Sequence, residues 1–134
     1  MGAYVTDTHP LLWHLTRDSR LSPSAKNVFE RTDAGADQVI IPSIVLIEII
    51  YLIEKKRFPL ALIDQVLGLL RNSTPNYWVA NLDVEVILAA RSINRSDIPE
   101  LPDRVIAATA KHVGLPLISR DSAIRNSNAI PVVW

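Results

Sequence analysis

Short, β-rich apolar runs alternate with helical patterns along the whole of this sequence. The runs that predict strands are residues 3–6, 38–41, 77–80, 115–119 and 130–133. Strands separated by helices are typical of a parallel sheet, whose crossover connections are right-handed. The alternation therefore predicts an α/β domain with a largely parallel central sheet. A length of 134 residues suits a single domain over residues 1–134, with one hydrophobic core.

Capping residues and apolar periodicity set the predicted helix bounds. Helices are predicted over Pro10 to Leu15, from Ser22-Pro23 to Gly35, from a Ser43 cap to about Arg57, after Pro59, from an Asp83 cap to about Ile93, and from Asp103 to Gly114. A loop is predicted over Asn72 to Asn76, and the segment from Asn94 to Pro102 is the most irregular part of the sequence.

Composition excludes several classes of site. The sequence has no cysteine, which excludes a disulfide framework, a thiolate zinc site and a cysteine nucleophile, and fits a reducing cytoplasm. Its 14 basic and 14 acidic residues give a net charge of zero, so any binding of nucleic acid must depend on local basic charge.

The most apolar stretch, Val39 to Ile53, contains Glu48 and is shorter than the roughly 20 residues of a membrane span. We therefore expect a soluble protein without a signal peptide.

Glu48 is the most unusual charged residue in the sequence. It lies in the segment SIVLIEIIYLI, where apolar residues surround it on every side of the predicted helix. A helix that is apolar all round is expected to be buried, and a buried carboxylate is costly unless a cation neutralises it. The cation is either a metal ion or a basic side chain. Two further alternatives remain structural: a buried salt bridge, or a solvent-facing position on a helix that packs into an oligomer.

Three other acids are predicted to lie at the same edge of the sheet as one another. Asp7 follows the first predicted strand, Asp121 follows the strand that ends at Ser119, and Asp103 begins a tightly packing helix. In parallel sheets, ligands bind at the carboxyl ends of strands. Each of these acids also has a structural explanation, because an acid is a favoured helix cap or first-turn residue.

Four acids at one edge would repel one another unless protons or cations neutralised them. All-oxygen ligand sets favour Mg²⁺ or Mn²⁺, which generate a hydroxide nucleophile and stabilise charge on a phosphodiester. The residues alone therefore predict metal-assisted hydrolysis of a phosphodiester.

Four segments, in this order and at this spacing, resemble the PIN-domain family, and in particular the VapC-type toxins of prokaryotic toxin–antitoxin pairs. They are VTDTHPLLW, IPSIVLIEI, LPDRVIAATA and GLPLISRD, and they span nearly the whole chain. The resemblance implies a three-layer α/β/α fold and an acidic pocket that binds one or two Mg²⁺ or Mn²⁺ ions. It also implies an endoribonuclease that cuts structured RNA such as transfer or ribosomal RNA, a homodimer, and an antitoxin that blocks the pocket.

Carried over to this sequence, the four acids of the family fall on Asp7, Glu48, Asp103 and Asp121. We expect the three aspartates to be direct or water-mediated metal ligands, and Glu48 to orient a water or complete the shell. Ser119 matches a position where the family often has a small hydroxyl residue near the metal.

Basic and aromatic residues near these acids have two interpretations each. Arg104 and Arg120 are candidate contacts to RNA phosphates, although solvated surface charge explains either one. His9 is close enough to Asp7 to lie at the rim of the pocket, whereas His14 is interpreted as a surface or packing residue. Trp13 is interpreted as a core or interface residue rather than a platform for stacked bases.

Apolar residues from Ile44 to Ile53 and from Leu60 to Leu70 exceed what a small domain buries. We expect part of this surface to form a homodimer interface or an antitoxin groove. The main alternative to the nuclease is a catalytically silent PIN-like module that binds RNA or a partner. A receiver-type signalling domain is disfavoured, because Asp7 stands alone at the end of the first strand.

Overall fold

The computed structural model describes residues 2–71 and 76–134, and within them the chain forms five strands and seven helices. In chain order these are β1 (Ala3–Thr6), α1 (Thr8–Thr16), α2 (Pro23–Asp33), β2 (Gln38–Pro42), α3 (Ser43–Glu54), α4 (Ala61–Arg71), β3 (Tyr77–Ala80), α5 (Val84–Arg91), α6 (Leu101–Val113), β4 (Leu117–Ile118), α7 (Ser122–Asn126) and β5 (Val132–Val133). Residues 72–75 of the predicted loop over Asn72 to Asn76 lie outside the described residues.

The five strands form one sheet in the order β3-β2-β1-β4-β5, and every pair is parallel. Helices flank this sheet, so the predicted α/β class with its parallel sheet is confirmed. The chain adds β2 and β3 on one side of β1, and then crosses over to add β4 on the other side. A crevice at the carboxyl edge is expected where the order of strands reverses in this way. Here that place lies between β1 and β4.

Local capping explains where several helices begin and end. Asp7 caps α1, because its Oδ1 accepts a hydrogen bond from the Thr8 backbone N–H at 2.8 Å, so the helix begins two residues before the predicted Pro10. Ser22 and Asp83 cap α2 and α5 through their side chains, as predicted. Gly114 ends α6 with a φ of 72°, a left-handed conformation that glycine adopts without steric cost.

Other predicted bounds were wrong. Ser43 does not cap α3: it is the first helical residue, and its Oγ accepts a hydrogen bond from the Leu82 backbone N–H at 3.1 Å instead. Helix α3 ends at Glu54 rather than near Arg57, and α5 ends at Arg91 rather than near Ile93. Pro102 is tolerated in the first turn of α6, so this helix begins at Leu101 and Asp103 is not its first residue.

The last two strands are shorter than predicted. β4 and β5 have two residues each, although the apolar runs cover residues 115–119 and 130–133. Pro116 and Pro131 have no N–H to donate to a neighbouring strand, but the carbonyl of Pro116 accepts from Val5 N and that of Pro131 accepts from Leu117 N. Ser119 therefore lies just past the end of β4, at the carboxyl edge.

The core lies between the sheet and the helices that pack against it. Its largest fully buried side chains include Phe29, Leu11, Leu12, Ile41, Ile49, Leu62, Ile98 and Ile106. The expectation that α3 is buried all round was wrong, since Ile47 is 65% exposed and its neighbours Ile50 and Tyr51 are exposed as well. In residues 2–71 and 76–134, no helix is long and apolar enough to cross a membrane.

Candidate active site

A cleft of about 620 Å³ opens at the carboxyl edge of the sheet. All four of the predicted acids line it. The other lining residues come mainly from α1 and from the segment after β4: Thr8, His9, Pro10, Trp13, Arg20, Arg120 and Ser122. The structure thus brings together side chains that are far apart in the sequence.

Asp7 is held in place from two sides. Its Oδ1 accepts the Thr8 backbone N–H, and its Oδ2 accepts the Ser119 hydroxyl at 2.8 Å. The Asp121 backbone N–H in turn donates to Ser119 Oγ at 3.1 Å, so the buried hydroxyl links the ends of β1 and β4. Burial raises the pKa of Asp7, while the hydrogen bonds from Ser119 and Thr8 act in the opposite direction.

Glu48 reaches the cleft from α3. Its Oε1 accepts a hydrogen bond from the Thr8 hydroxyl at 2.7 Å, and its half-buried position raises its pKa. No Lys, Arg or His in the described parts of the chain forms an ion pair with it, so the buried salt bridge considered from the sequence is not formed there. Thr8, which the sequence analysis did not single out, binds two of the acids at once. Its position next to Asp7 was the available signal.

Asp103 lies in the first turn of α6, where both burial and the neighbouring carboxylates act on its pKa. Burial, followed by the charges of Asp7, Asp121 and Glu48, raises its pKa to about 7. Burial and repulsion from the other carboxylates together therefore favour the protonated form of Asp103 near neutral pH when no cation is bound.

Asp121 serves two purposes. Its Oδ1 accepts the Ile124 backbone N–H at 3.0 Å and caps α7, as the structural interpretation of this residue predicted. It also lines the cleft. The cap engages one carboxylate oxygen and leaves Oδ2 without a hydrogen bond from the described part of the chain.

The sequence of residues 4–128 matches the family model described as PIN domain. The chain belongs to the PIN-domain family. No curated protein sequence matches the chain. The fold resembles solved structures of VapBC2 from Rickettsia felis bound to a promoter DNA fragment (14% identity, TM-score 0.66, 97% of this chain and 96% of that one) and of DNA-bound VapBC from Salmonella typhimurium (19%, 0.66, 98% and 97%). It also resembles FitAcB from Neisseria gonorrhoeae (19%, 0.60, 96% and 95%).

The carboxylates of this PIN domain suit a hard divalent cation by their chemistry. They supply only oxygen donors, and their mutual repulsion is relieved by positive charge. In the described parts of the chain, no group of three or more His, Cys, Asp or Glu residues is arranged to hold a metal ion by itself. Mg²⁺ needs only one or two carboxylates, because it keeps several of its waters. The residues therefore fit an ion held partly through water.

Basic and aromatic residues of the PIN domain also line the cleft. Arg120 does so as the sequence suggested, and His9 lies at the rim, where burial lowers its pKa. Arg20 was missed, because its position in the α1–α2 connection gave no signal of a pocket. Arg104 is not among the lining residues, and its Nε is buried without a hydrogen-bond partner in the described residues.

His14 lies away from the cleft and packs against the core of the PIN domain. Its ring stacks on Phe29 at a centroid distance of 4.8 Å, and its Nε2 lies 2.8 Å from Asp33 Oδ2. The hydroxyl of Tyr77 donates to the other oxygen of Asp33. These contacts agree with the interpretation of His14 as a packing residue.

Proposed function

We propose that this PIN domain is a metal-dependent endoribonuclease, the toxin of a type II toxin–antitoxin pair. The observation that carries the proposal is the cleft itself. Two of its carboxylates belong to the caps of α1 and α7, just beyond β1 and β4, and the other two to α3 and α6. All four line the cleft, and the described part of the chain provides no salt bridge to any of them. An arrangement that destabilises the apo chain is typical of a site built for a cation.

Asp7, Asp103 and Asp121 are the proposed holders of Mg²⁺ or Mn²⁺, directly or through water. The ion, when bound, would supply a hydroxide nucleophile and stabilise negative charge on the phosphodiester. Ser119 fixes the carboxylate of Asp7 by a hydrogen bond, and Thr8 does the same for Glu48. With its orientation fixed in this way, Glu48 is the residue proposed to orient the attacking water.

The proposed substrate is structured RNA, such as transfer or ribosomal RNA. This follows from the resemblance to VapC-type toxins and from the two arginines of the cleft, which can bind phosphates. Arg104 stays a prediction as an RNA contact, supported only by its position next to Asp103 in the sequence.

Two protein partners are proposed as well. Similar folds occur in toxin–antitoxin complexes, one of them from Klebsiella pneumoniae (16% identity, TM-score 0.58, 95% of this chain and 94% of that one), which supports an antitoxin as one partner. A second copy of the chain is the other. It would cover an apolar surface that we define as Ile47, Ile50 and Tyr51 of α3 with Val84, Ile87 and Leu88 of α5, all of them exposed. Leu82, two residues before α5, donates its backbone N–H to Ser43 Oγ at the start of α3, so the two helices begin near each other.

Cleavage of purified RNA tests the proposed activity. Total transfer and ribosomal RNA would be incubated with the protein in Mg²⁺, in Mn²⁺ and in chelator. We expect discrete fragments that require the metal, and a loss of at least about a hundredfold in rate for Asp7→Asn and for Asp103→Asn, because each variant removes a proposed ligand. Asp64→Asn, which changes an acid of α4 outside the cleft, is the matched control and should cleave normally.

The same experiment decides between the nuclease and the silent module. If no metal supports cleavage while RNA or a partner is still bound, the chain is a binding module. If Asp7→Asn and Asp103→Asn cleave as fast as Asp64→Asn, the cleft is not the site of the reaction.

A further inference from the structure

Trp13 of α1 carries two guanidinium groups at the edge of the acidic cleft. The Cζ of Arg20 lies 5.0 Å from the centroid of its ring, and the Cζ of Arg120 lies 5.6 Å from it. Both distances fall within the range of a cation–π contact. The indole is only 5% exposed, so its position is fixed by packing and it serves as a rigid support for the two arginines.

Arg20 is held in a single orientation by Asp18. Its Nε and Nη2 donate to the two carboxylate oxygens at 3.0 and 2.7 Å, and its backbone N–H donates to Oδ1 at 2.8 Å. The guanidinium has five N–H donors in a planar fork, and this arrangement engages one edge of that fork. The donors of Nη1 remain available, on a side chain whose rotamer freedom is already restricted.

Arg120 is more open. Its side chain is exposed, and within residues 2–71 and 76–134 it forms no ion pair. It lies between Ser119, which donates to Asp7, and Asp121, which lines the cleft. Its guanidinium nevertheless lies over Trp13 instead of pairing with a carboxylate. The indole therefore keeps this charge next to the acids without neutralising them.

A site with these properties fits a phosphodiester backbone. Guanidinium groups recognise phosphate oxygens with two parallel hydrogen bonds. Asp18 balances the charge of Arg20, so Arg20 supplies oriented donors. Arg120, which has no ion pair in the described part of the chain, supplies the positive charge that offsets repulsion between a polyanion and the four carboxylates. The indole is too buried to accept a stacked base on an open face, so its role is to position the arginines.

We propose that Arg20 and Arg120, supported by Trp13, form a subsite that binds the RNA backbone beside the phosphate to be cleaved. This proposal rests on the proposed function for its substrate, and it adds a residue from the α1–α2 connection to the binding site. Arg125 of α7 has the same charge and is exposed, but it does not line the cleft. It should contribute little.

The subsite is tested by the binding of a short, fluorescently labelled RNA hairpin with a single-stranded loop of about ten nucleotides. Fluorescence anisotropy measures this binding over a range of salt concentrations. All variants would share an Asp103→Asn background, which removes one repelling charge and prevents cleavage from complicating the titration. We expect Arg20→Ala and Arg120→Ala each to weaken binding by about fivefold to twentyfold. The slope of log K against log salt should become shallower by about 0.7 for each phosphate that the variant no longer neutralises.

Arg125→Ala is the control for net charge and should bind within about twofold of its parent. Arg20→Lys and Arg120→Lys should recover only part of the affinity, because lysine keeps the charge but lacks the planar fork. Thermal unfolding of each variant by circular dichroism would show that the fold is intact.

Three results would overturn the subsite. In the first, Arg20→Ala and Arg120→Ala match Arg125→Ala in affinity and salt slope. In the second, the parent does not bind RNA. In the third, the arginines alter binding of an acidic peptide but not of RNA, which would assign the pair to a protein partner. Failure of the wild-type chain to cleave RNA, with binding still dependent on the arginines, would refute the nuclease and leave the subsite as part of a binding module.

Discussion

The acidic cleft and the apolar surface of α3 and α5 are both unfavourable in the isolated chain, but for opposite reasons. In the cleft, like charges are gathered, and Asp103 has its pKa raised to about 7. On the apolar surface, Ile47 and Val84 are 65% and 66% exposed, and water is in contact with groups that favour burial. A cation relieves the first cost and a protein surface the second. Each region therefore indicates the chemistry of what binds it.

Helix α3 contributes to both regions, because residues next to each other in its sequence point in different directions. Glu48 turns towards Thr8 and the cleft, Ile47 faces solvent, and Ile49 is fully buried. Successive residues on a helix are about 100° apart, so three adjacent positions reach three different environments. A helix without an amphipathic pattern can thus serve a core, a site and an interface together.

Charge placed on the apolar surface should have the largest effect. Ile47→Lys is expected to dissociate the proposed homodimer, because a symmetric interface loses the residue twice. At about 1.5–3 kcal/mol for each buried isoleucine, the dissociation constant should rise more than about a hundredfold. Sedimentation equilibrium measures the change. Leu60→Lys, at an exposed apolar residue in the α3–α4 connection, is the control. A wild-type chain that is monomeric at every concentration would contradict the dimer.

Removal of one hydroxyl should weaken metal binding in the cleft but leave all four carboxylates in place. Ser119→Ala takes away the hydrogen bond to Asp7 Oδ2, and hydrogen bonds to charged groups contribute about 1.5–3 kcal/mol. We expect cleavage at low Mg²⁺ to fall at least about tenfold, with partial recovery as Mg²⁺ increases. Ser127→Ala removes a hydroxyl that donates to a backbone carbonyl in α7 and should leave the metal dependence unchanged. An equal loss in both variants would mean that Ser119 acts only through the fold.

Removal of one charge from the cleft should raise the free energy of unfolding of the metal-free protein. The pKa of Asp103 is about 7 in the folded chain and 3.8 without the fold, so folding takes up a proton between these values. The free energy of unfolding therefore falls as the pH rises through this window, and the loss is complete above it. Asn does not titrate and carries no charge. The free energy of unfolding of Asp103→Asn should therefore exceed that of the wild type by about 1–2 kcal/mol near pH 8, after allowance for solvent screening.

Urea unfolding in chelator at about pH 4 and about pH 8 measures this difference, which should nearly vanish at the lower value. Added Mg²⁺ should stabilise the wild type more than Asp103→Asn, since a cation that binds only the folded state shifts the equilibrium by mass action. A variant less stable than the wild type at both pH values would show that the carboxylate does not carry the repulsion described above.

Much of the fold could be predicted because its signals are local. The first three strands were placed within one residue of their bounds, and the caps Ser22 and Asp83 were identified. Errors occurred where a competing contact was invisible in the sequence. Ser43 has the chemistry of a cap, but its hydroxyl is used by Leu82 N, a residue 39 positions away.

The sequence by itself determined the class of fold, since alternating strands and helices leave a parallel sheet as the way to bury both patterns. It also determined the donor chemistry of the cleft, because the acids stand at strand ends and on one apolar helix. The tertiary structure alone decided that Thr8 joins Asp7 to Glu48, that Arg20 lies over Trp13, and that Ile47 is exposed. These features depend on the angle at which one element meets another, and that angle is set by packing between residues far apart in the chain.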